Sequence, residues 1–148
     1  MNMNMNTNQK GQIGLACVIK DLTEIGCELF LPIHDYSDVD LIALINGCTF
    51  RIQVKYRTSK NGRVTIPLYS VVNRRKIPID RTMIDMWAVF CPEIETVLYI
   101  PIANAVNHKS EFSVRLTRPE NTIQLNRCHS PDYTEFLNPL DIFGNDYA

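Results

Sequence analysis

The chain has 148 residues, 45% of them apolar, and 15 Lys and Arg against 16 Asp and Glu, for a net charge of −1. That length and balance suit a single globular domain over 1–148 and exclude a disordered tail, a coiled coil or a collagen-like chain. No apolar run approaches the roughly 20 residues of a membrane span, and the opening MNMNMNTNQK lacks the basic and apolar regions of an export signal, so a soluble, cytoplasmic protein is expected.

In chain order, the Met/Asn alternation of residues 1–8 reads as a disordered end. Thr7 to Glu24 then predicts a helix, with Ile13, Ala16, Cys17, Ile19 and Leu22 as its apolar side and Gly26 as its stop. Beyond Gly26 the period becomes that of strands. Glu28 to Pro32 is a short one, and Val39 to Ile45 is a second that runs into Asn46-Gly47, the strongest short hairpin signal, with Cys48 to Tyr56 as its partner. Val64 to Val72 is strand-like and can form a second ribbon. Asp85 to Phe90 and Val97 to Ile102 make an apolar hairpin across Pro92-Glu93, with Trp87 as a packing residue, and Ser113 to Leu116 is a last strand. The final segment, 130–148, offers Ser130 as a helix cap and presents Leu137, Leu140, Ile142 and Phe143 to its own domain or to another subunit.

Five cysteines, Cys17, Cys27, Cys48, Cys91 and Cys128, include no C-x-x-C pair and are odd in number, which suits reduced thiols rather than a disulfide framework or a zinc site. The Cys128-His129 pair, His34 and His108 stand alone and read as surface or internally bonded residues.

Near-neutral total charge hides a segregation. Residues 1–50 carry two bases against six acids, and residues 82–148 carry four against nine. Between them, Arg51, Lys55, Arg57, Lys60, Arg63, Arg74, Arg75, Lys76 and Arg81 face Asp80 alone, a local charge of +8. Such clustering is the footprint of a polyanion partner, double-stranded DNA above all, because each neutralised phosphate releases counterions. On charge alone, a solvated basic hairpin without a ligand competes with that reading. Residues 57–81 form the candidate DNA-binding insertion, with Arg57 among its cations: Arg63, Arg74, Arg75 and Arg81 suit bidentate contacts to guanine, and Lys60 and Lys76 suit phosphates.

The first hairpin can be registered from its turn. A two-residue loop at Asn46-Gly47 opposes Ile45 to Cys48, Ala43 to Phe50, Leu41 to Ile52 and Val39 to Val54 on an apolar face. On the other face Asp40 lies opposite Gln53 and Asp38 opposite Lys55, within roughly 5–8 Å. Arg51, Gln53, Lys55 and Arg57 share that face, so the cluster opens onto the basic segment. An acid able to hold Mg²⁺ beside a positive groove is what metal-assisted phosphodiester hydrolysis requires.

At these residues the sequence resembles the PD-(D/E)XK nuclease superfamily, through Asp40 on one strand and Gln53-Val54-Lys55 on the next. With Q-x-K in place of D/E-x-K, followed by MIDMWAVFCPEIETVLYIPIANAV and SVRL, it is similar to the group I intron-encoded homing endonucleases of cyanobacterial tRNA introns, from about Lys10 to Phe136. The resemblance implies an α/β restriction-endonuclease-like core, a mixed central sheet flanked by helices. It implies Asp40 and Gln53 as ligands of Mg²⁺ and Lys55 as the residue that orients or acidifies the attacking water. It also implies a homotetramer that cuts an intronless tRNA gene and so promotes intron mobility. Family members carry a Glu on the first helix, and Gln12 stands where the pattern leads one to expect it, which suggests a crippled site that still binds DNA. Two alternatives remain open: a module that binds DNA or RNA without cutting, and a junction or repair nuclease on the same core.

Overall fold

In the computed structural model, which describes residues 4–116 and 130–143, the chain opens with helix α1 (Thr7–Glu24). Asn6 caps it: its side-chain oxygen accepts the Gln9 N–H at 2.9 Å, and Gln9 Oε1 accepts the Asn6 N–H at 2.9 Å. This reciprocal capping box draws structure into the stretch expected to be disordered, from Asn6 onward; residues 1–3 lie outside the described residues. The helix ends as its sequence predicts. Gly26 takes φ +92°, and the N–H groups of Gly26 and Cys27 close on the carbonyls of Thr23 and Leu22 at 3.0 Å each.

The strands are β1 (Glu28–Phe30), β2 (Leu41–Ile45), β3 (Cys48–Tyr56), β4 (Arg63–Pro67), β5 (Tyr69–Val72), β6 (Arg75–Pro78), β7 (Met86–Cys91), β8 (Thr96–Pro101) and β9 (Glu111–Arg115). Five of them form a mixed sheet in the order β1-β2-β3-β7-β8, in which β3 and β7 run parallel and the other neighbours antiparallel. β7 and β8 are buried on both faces, which is why their sequences read as unbroken apolar runs.

One face of the sheet packs on α1 through Val18, Leu22, Leu41, Ala43, Ile52, Met86 and Tyr99. Gly14 sits where α1 passes closest to β3. A Cβ there would lie 3.4 Å from Val54 Cγ1 and 3.7 Å from the Lys55 carbonyl, in ordinary contact, so Gly14 marks the side of the helix that meets the sheet. Among the described residues no long helix covers the second face. The antiparallel pair β4–β9 and 3₁₀ turns at Ile102–Ala105 and Tyr133–Phe136 cover it, burying Trp87, Val89, Leu98 and Ile100 against Val64, Ile66, Phe112, Val114 and Phe136. The expected mixed sheet is found, with α1 on one face and, among the described residues, β4–β9 and the 3₁₀ turns on the other.

Several expected boundaries shift for local reasons. The single strand expected over Val64 to Val72 breaks at Leu68, whose N–H bonds to Ser110 and whose carbonyl accepts Ile79 N–H. β4 then pairs with β9, and β5 with β6 as a separate ribbon. Ser130 does not cap a helix; its carbonyl accepts Arg115 Nε at 2.7 Å, and Asp132 caps the 3₁₀ turn instead. Phe136 joins the second core, and a short helix, α2 (Pro139–Phe143), ends the described chain, with Leu137 and Leu140 exposed. Cys17, Cys27, Cys48 and Cys91 are free thiols, while Cys128-His129 and residues 144–148 lie outside the described residues. No described helix is long and apolar enough to cross a membrane.

Candidate active site

The hairpin has the register that its turn dictates, Ile45↔Cys48 through Leu41↔Ile52. There the ladder stops, two residues earlier than expected. The Val54 N–H, which a continued ladder would give to the carbonyl of Val39, goes to Asp40 Oδ2 at 2.7 Å. Val39 turns away and packs into the second core rather than opposite Val54. The physical cause is a carboxylate competing with a backbone carbonyl for one N–H, and a charged acceptor makes the stronger bond. Asp40 is thus pinned against β3 twice, by its own N–H on the Ile52 carbonyl at 2.9 Å and by its side chain on the Val54 N–H.

Gln53 and Lys55, on alternate positions of β3, and Arg57, one residue past its end, line one cleft of about 360 Å³ together with Asp38, Asp80 and the base of the β5–β6 ribbon at Tyr69. Asp40 and Lys55 make no direct ion pair, and the Gln53 amide bonds to no described side chain. Burial raises the pKa of Asp40, against the pull of the Val54 N–H and of Lys55, and Asp38 adds to the rise. Burial likewise lowers the pKa of Lys55; the neighbouring Arg57 lowers it further, and Asp40 only partly opposes this. Both charged forms are therefore disfavoured in the unliganded cleft, so a cation at Asp40 and an anion at Lys55 would each relieve a cost already present.

A metal cage is not formed: among the described residues no three His, Cys, Asp or Glu side chains cluster. Mg²⁺, however, is commonly held by one or two carboxylates with substrate phosphates completing its shell. Asp40, held on the Val54 N–H, and the adjacent Gln53 are hard oxygen donors that fit that sparse arrangement.

A second cleft adjoins the first across Arg57 and is lined by Lys10, Tyr56, Thr58, Lys60 and Arg63. Lys10 was not among the residues that the sequence suggested. The signal was available: it lies four residues before Gly14, hence on the side of α1 that faces β3. Gln12 lies two residues from Gly14, about 200° around a helix of 3.6 residues per turn. It is exposed and borders an apolar patch with Met5, Ile13 and Ala16, so the structure does not bring it to Asp40, Gln53 and Lys55.

The remaining cations divide. Arg74 stands at the tip of the β5–β6 ribbon with φ +63°, next to Asn73 at +51°, a pair of left-handed residues that matches a tight hairpin turn. Arg75 and Lys76 follow on β6, exposed, with Lys76 Nζ 4.4 Å above the Tyr69 ring. Arg81 is placed otherwise: its guanidinium donates to the carbonyls of Ala105 and His108 and ties down the end of a 3₁₀ turn, so it is not offered to DNA. Arg51 is likewise engaged, forking onto Asp85 at 2.9 and 3.1 Å and reaching Thr82 O at 2.8 Å. Trp87 is fully buried, as a packing residue should be.

Comparison with known proteins bears on the whole arrangement. The family described as PD-(D/E)XK endonuclease matches residues 5–136. Among solved structures the chain is similar to one described as the structure of a bacterial homing endonuclease, I-Ssp6803I, with a TM-score of 0.72 at 19% identity, covering 94% of this chain and 93% of that one. A search of curated proteins finds no match.

Proposed function

The chain belongs to the PD-(D/E)XK endonuclease family, and from that premise we propose that it is a site-specific, Mg²⁺-dependent homing endonuclease that cuts both strands of an intronless tRNA gene and so promotes intron mobility. The observation that carries the reading is the Asp40 carboxylate held on the Val54 N–H, between Gln53 and Lys55, which themselves line a cleft that continues across Arg57 into a basic one.

Asp40 and Gln53 would hold the cation together with oxygens of the scissile phosphate. When bound, it would offset the charge that grows on the phosphate in the transition state and make a nearby water more acidic. Lys55 orients that water and exchanges its proton; its lowered pKa brings it nearer to the working pH of a proton-transfer group. Arg57 shares the cleft and supplies a planar guanidinium suited to a phosphate, so it can hold one while Lys55 changes protonation state. The β5–β6 ribbon, with Arg74 at its tip and Arg75 and Lys76 behind it, has the size and charge to enter a major groove. One domain of this size spans too little duplex for a long site, and the exposed Leu137 and Leu140 suit a subunit contact, in keeping with a homotetramer.

One observation favours a second reading, a duplex binder that does not cut: Gln53 brings no negative charge where D/E-x-K would place a carboxylate. Incubation of an intronless tRNA-gene duplex with Mg²⁺ separates the two. Double-strand cuts leaving 5′-phosphates, abolished by EDTA, are expected; tight binding without cuts overturns the enzyme reading in favour of the binder.

A further inference from the structure

The second cleft has no role in the chemistry just described, yet it gathers charge from elements far apart in sequence. Lys10 comes from the first turns of α1, Arg57 from the end of β3, Lys60 from the turn that follows and Arg63 from β4, with Glu111 as the only carboxylate on its described wall. Thr58 adds a hydroxyl. Four cations brought together around one concavity repel one another, and such a cost is retained where an anion offsets it. An independent observation points the same way. The Nε of Arg57 is buried at the junction of the two clefts and bonds to no described group. A guanidinium N–H withdrawn from water and left without an acceptor is costly, and an oxyanion in the cleft would supply one.

We propose that this cleft is a second phosphate site, in which Lys10, Arg57 and Lys60 hold a backbone phosphate flanking the one at Lys55 on the same DNA strand. The spacing fits: Lys55 and Arg57, two residues apart at the end of β3, are separated by about 6.6 Å, one to two nucleotide steps of a duplex strand at about 3.4 Å of axial rise each. Arg57 stands between the two phosphates. The helix therefore contributes a cation to the DNA path, not a carboxylate to a metal. Only the word "flanking" rests on the nuclease reading; the phosphate site itself does not.

The test is binding of the intronless tRNA-gene duplex in EDTA, where nothing is cut, followed as a function of salt. Lys10→Ala should lower the slope of log K against log salt by about 0.9, as should Lys60→Ala, and Lys10→Arg should restore it. Lys60 is exposed in a turn, so its variant reads the site even if the helix variant fails to fold. A scan of single methylphosphonates along the duplex should find a phosphate whose neutralisation weakens the wild-type chain clearly more than it weakens Lys10→Ala, where Arg57 and Lys60 alone still hold it. An unchanged slope in both alanine variants, or methylphosphonate losses that simply add to that of Lys10→Ala, would overturn the proposal. A wild-type chain that never cuts with Mg²⁺ yet shows the slope changes would overturn the nuclease reading and leave the phosphate site standing.

Discussion

Arg51 and Arg81 come from the same basic stretch as Lys55 and Arg57, and the fold gives the two pairs opposite fates. The first two are satisfied: Arg51 forks onto Asp85 and Thr82, and Arg81 closes on the carbonyls of Ala105 and His108. The second two are left wanting: Lys55 is half-buried without an ion pair, and Arg57 has a buried Nε without an acceptor. A count of charge along a sequence does not separate these cases, because what decides them is whether an acceptor from elsewhere in the chain reaches the same place. Satisfied cations hold the sheet and its turns together; unsatisfied ones are available to a ligand.

That contrast can be broken by substitution. The largest effect is expected at Lys55: Lys55→Ala should reduce single-turnover cleavage by about 10²–10⁴-fold with binding changed by less than about threefold. Equal loss of both would make Lys55 a binding residue like its neighbours. Next, Arg74→Ala combined with Arg75→Ala should weaken duplex binding by about tenfold and flatten its salt dependence. Arg51→Ala and Arg81→Ala should do the reverse, lowering the Tm by a few degrees while leaving the salt slope of binding unchanged. A reduced slope for either would mean that its internal bonds are given up to DNA.

Smaller effects follow from the titrating pair. Asp40 has a raised folded-state pKa, so the stability it contributes is complete below its unfolded value and is lost as pH rises through the folded one. Asp40→Asn keeps an oxygen for the Val54 N–H and removes that loss, so its Tm advantage over wild type should grow from pH 3 toward pH 7, about the unfolded pKa of 3.9 and beyond. Lys55 has a lowered pKa, so wild type is penalised below it and recovers as pH rises past it. Lys55→Met should gain in Tm near neutrality and lose that gain in alkali. The smallest effect is expected at Gln12→Glu, which should leave cleavage within about twofold because the side chain lies on the far side of α1.

The sequence made the frame legible where local rules act alone. Helix α1 ends at Gly26, and the Asn46-Gly47 turn dictates a register that is found pair by pair from Ile45 to Leu41. Legibility failed where long-range competitors entered. The Asp40 carboxylate took an N–H that strand periodicity assigns to a carbonyl, and the pairing of β4 with β9, 48 residues apart at Thr65 and Ser113, has no local signature. Alternation along β3 and one residue beyond it accounts for the placing of Gln53, Lys55 and Arg57 along one cleft. Lys10 was missed although it shares a side of α1 with the buried Gly14, Val18 and Leu22, because Val18 was not counted in the apolar side and a glycine carries no apolar signal.

The central claim is that Asp40, Gln53 and Lys55 form a phosphodiester-cleaving centre. The most direct measurement is single-turnover cleavage of the intronless tRNA-gene duplex with Mg²⁺ by the wild-type chain and by Lys55→Ala at matched occupancy. Both strands cut by the wild type, and intact duplex still bound by the variant, is the predicted result. A variant that cuts as fast as the wild type would contradict it.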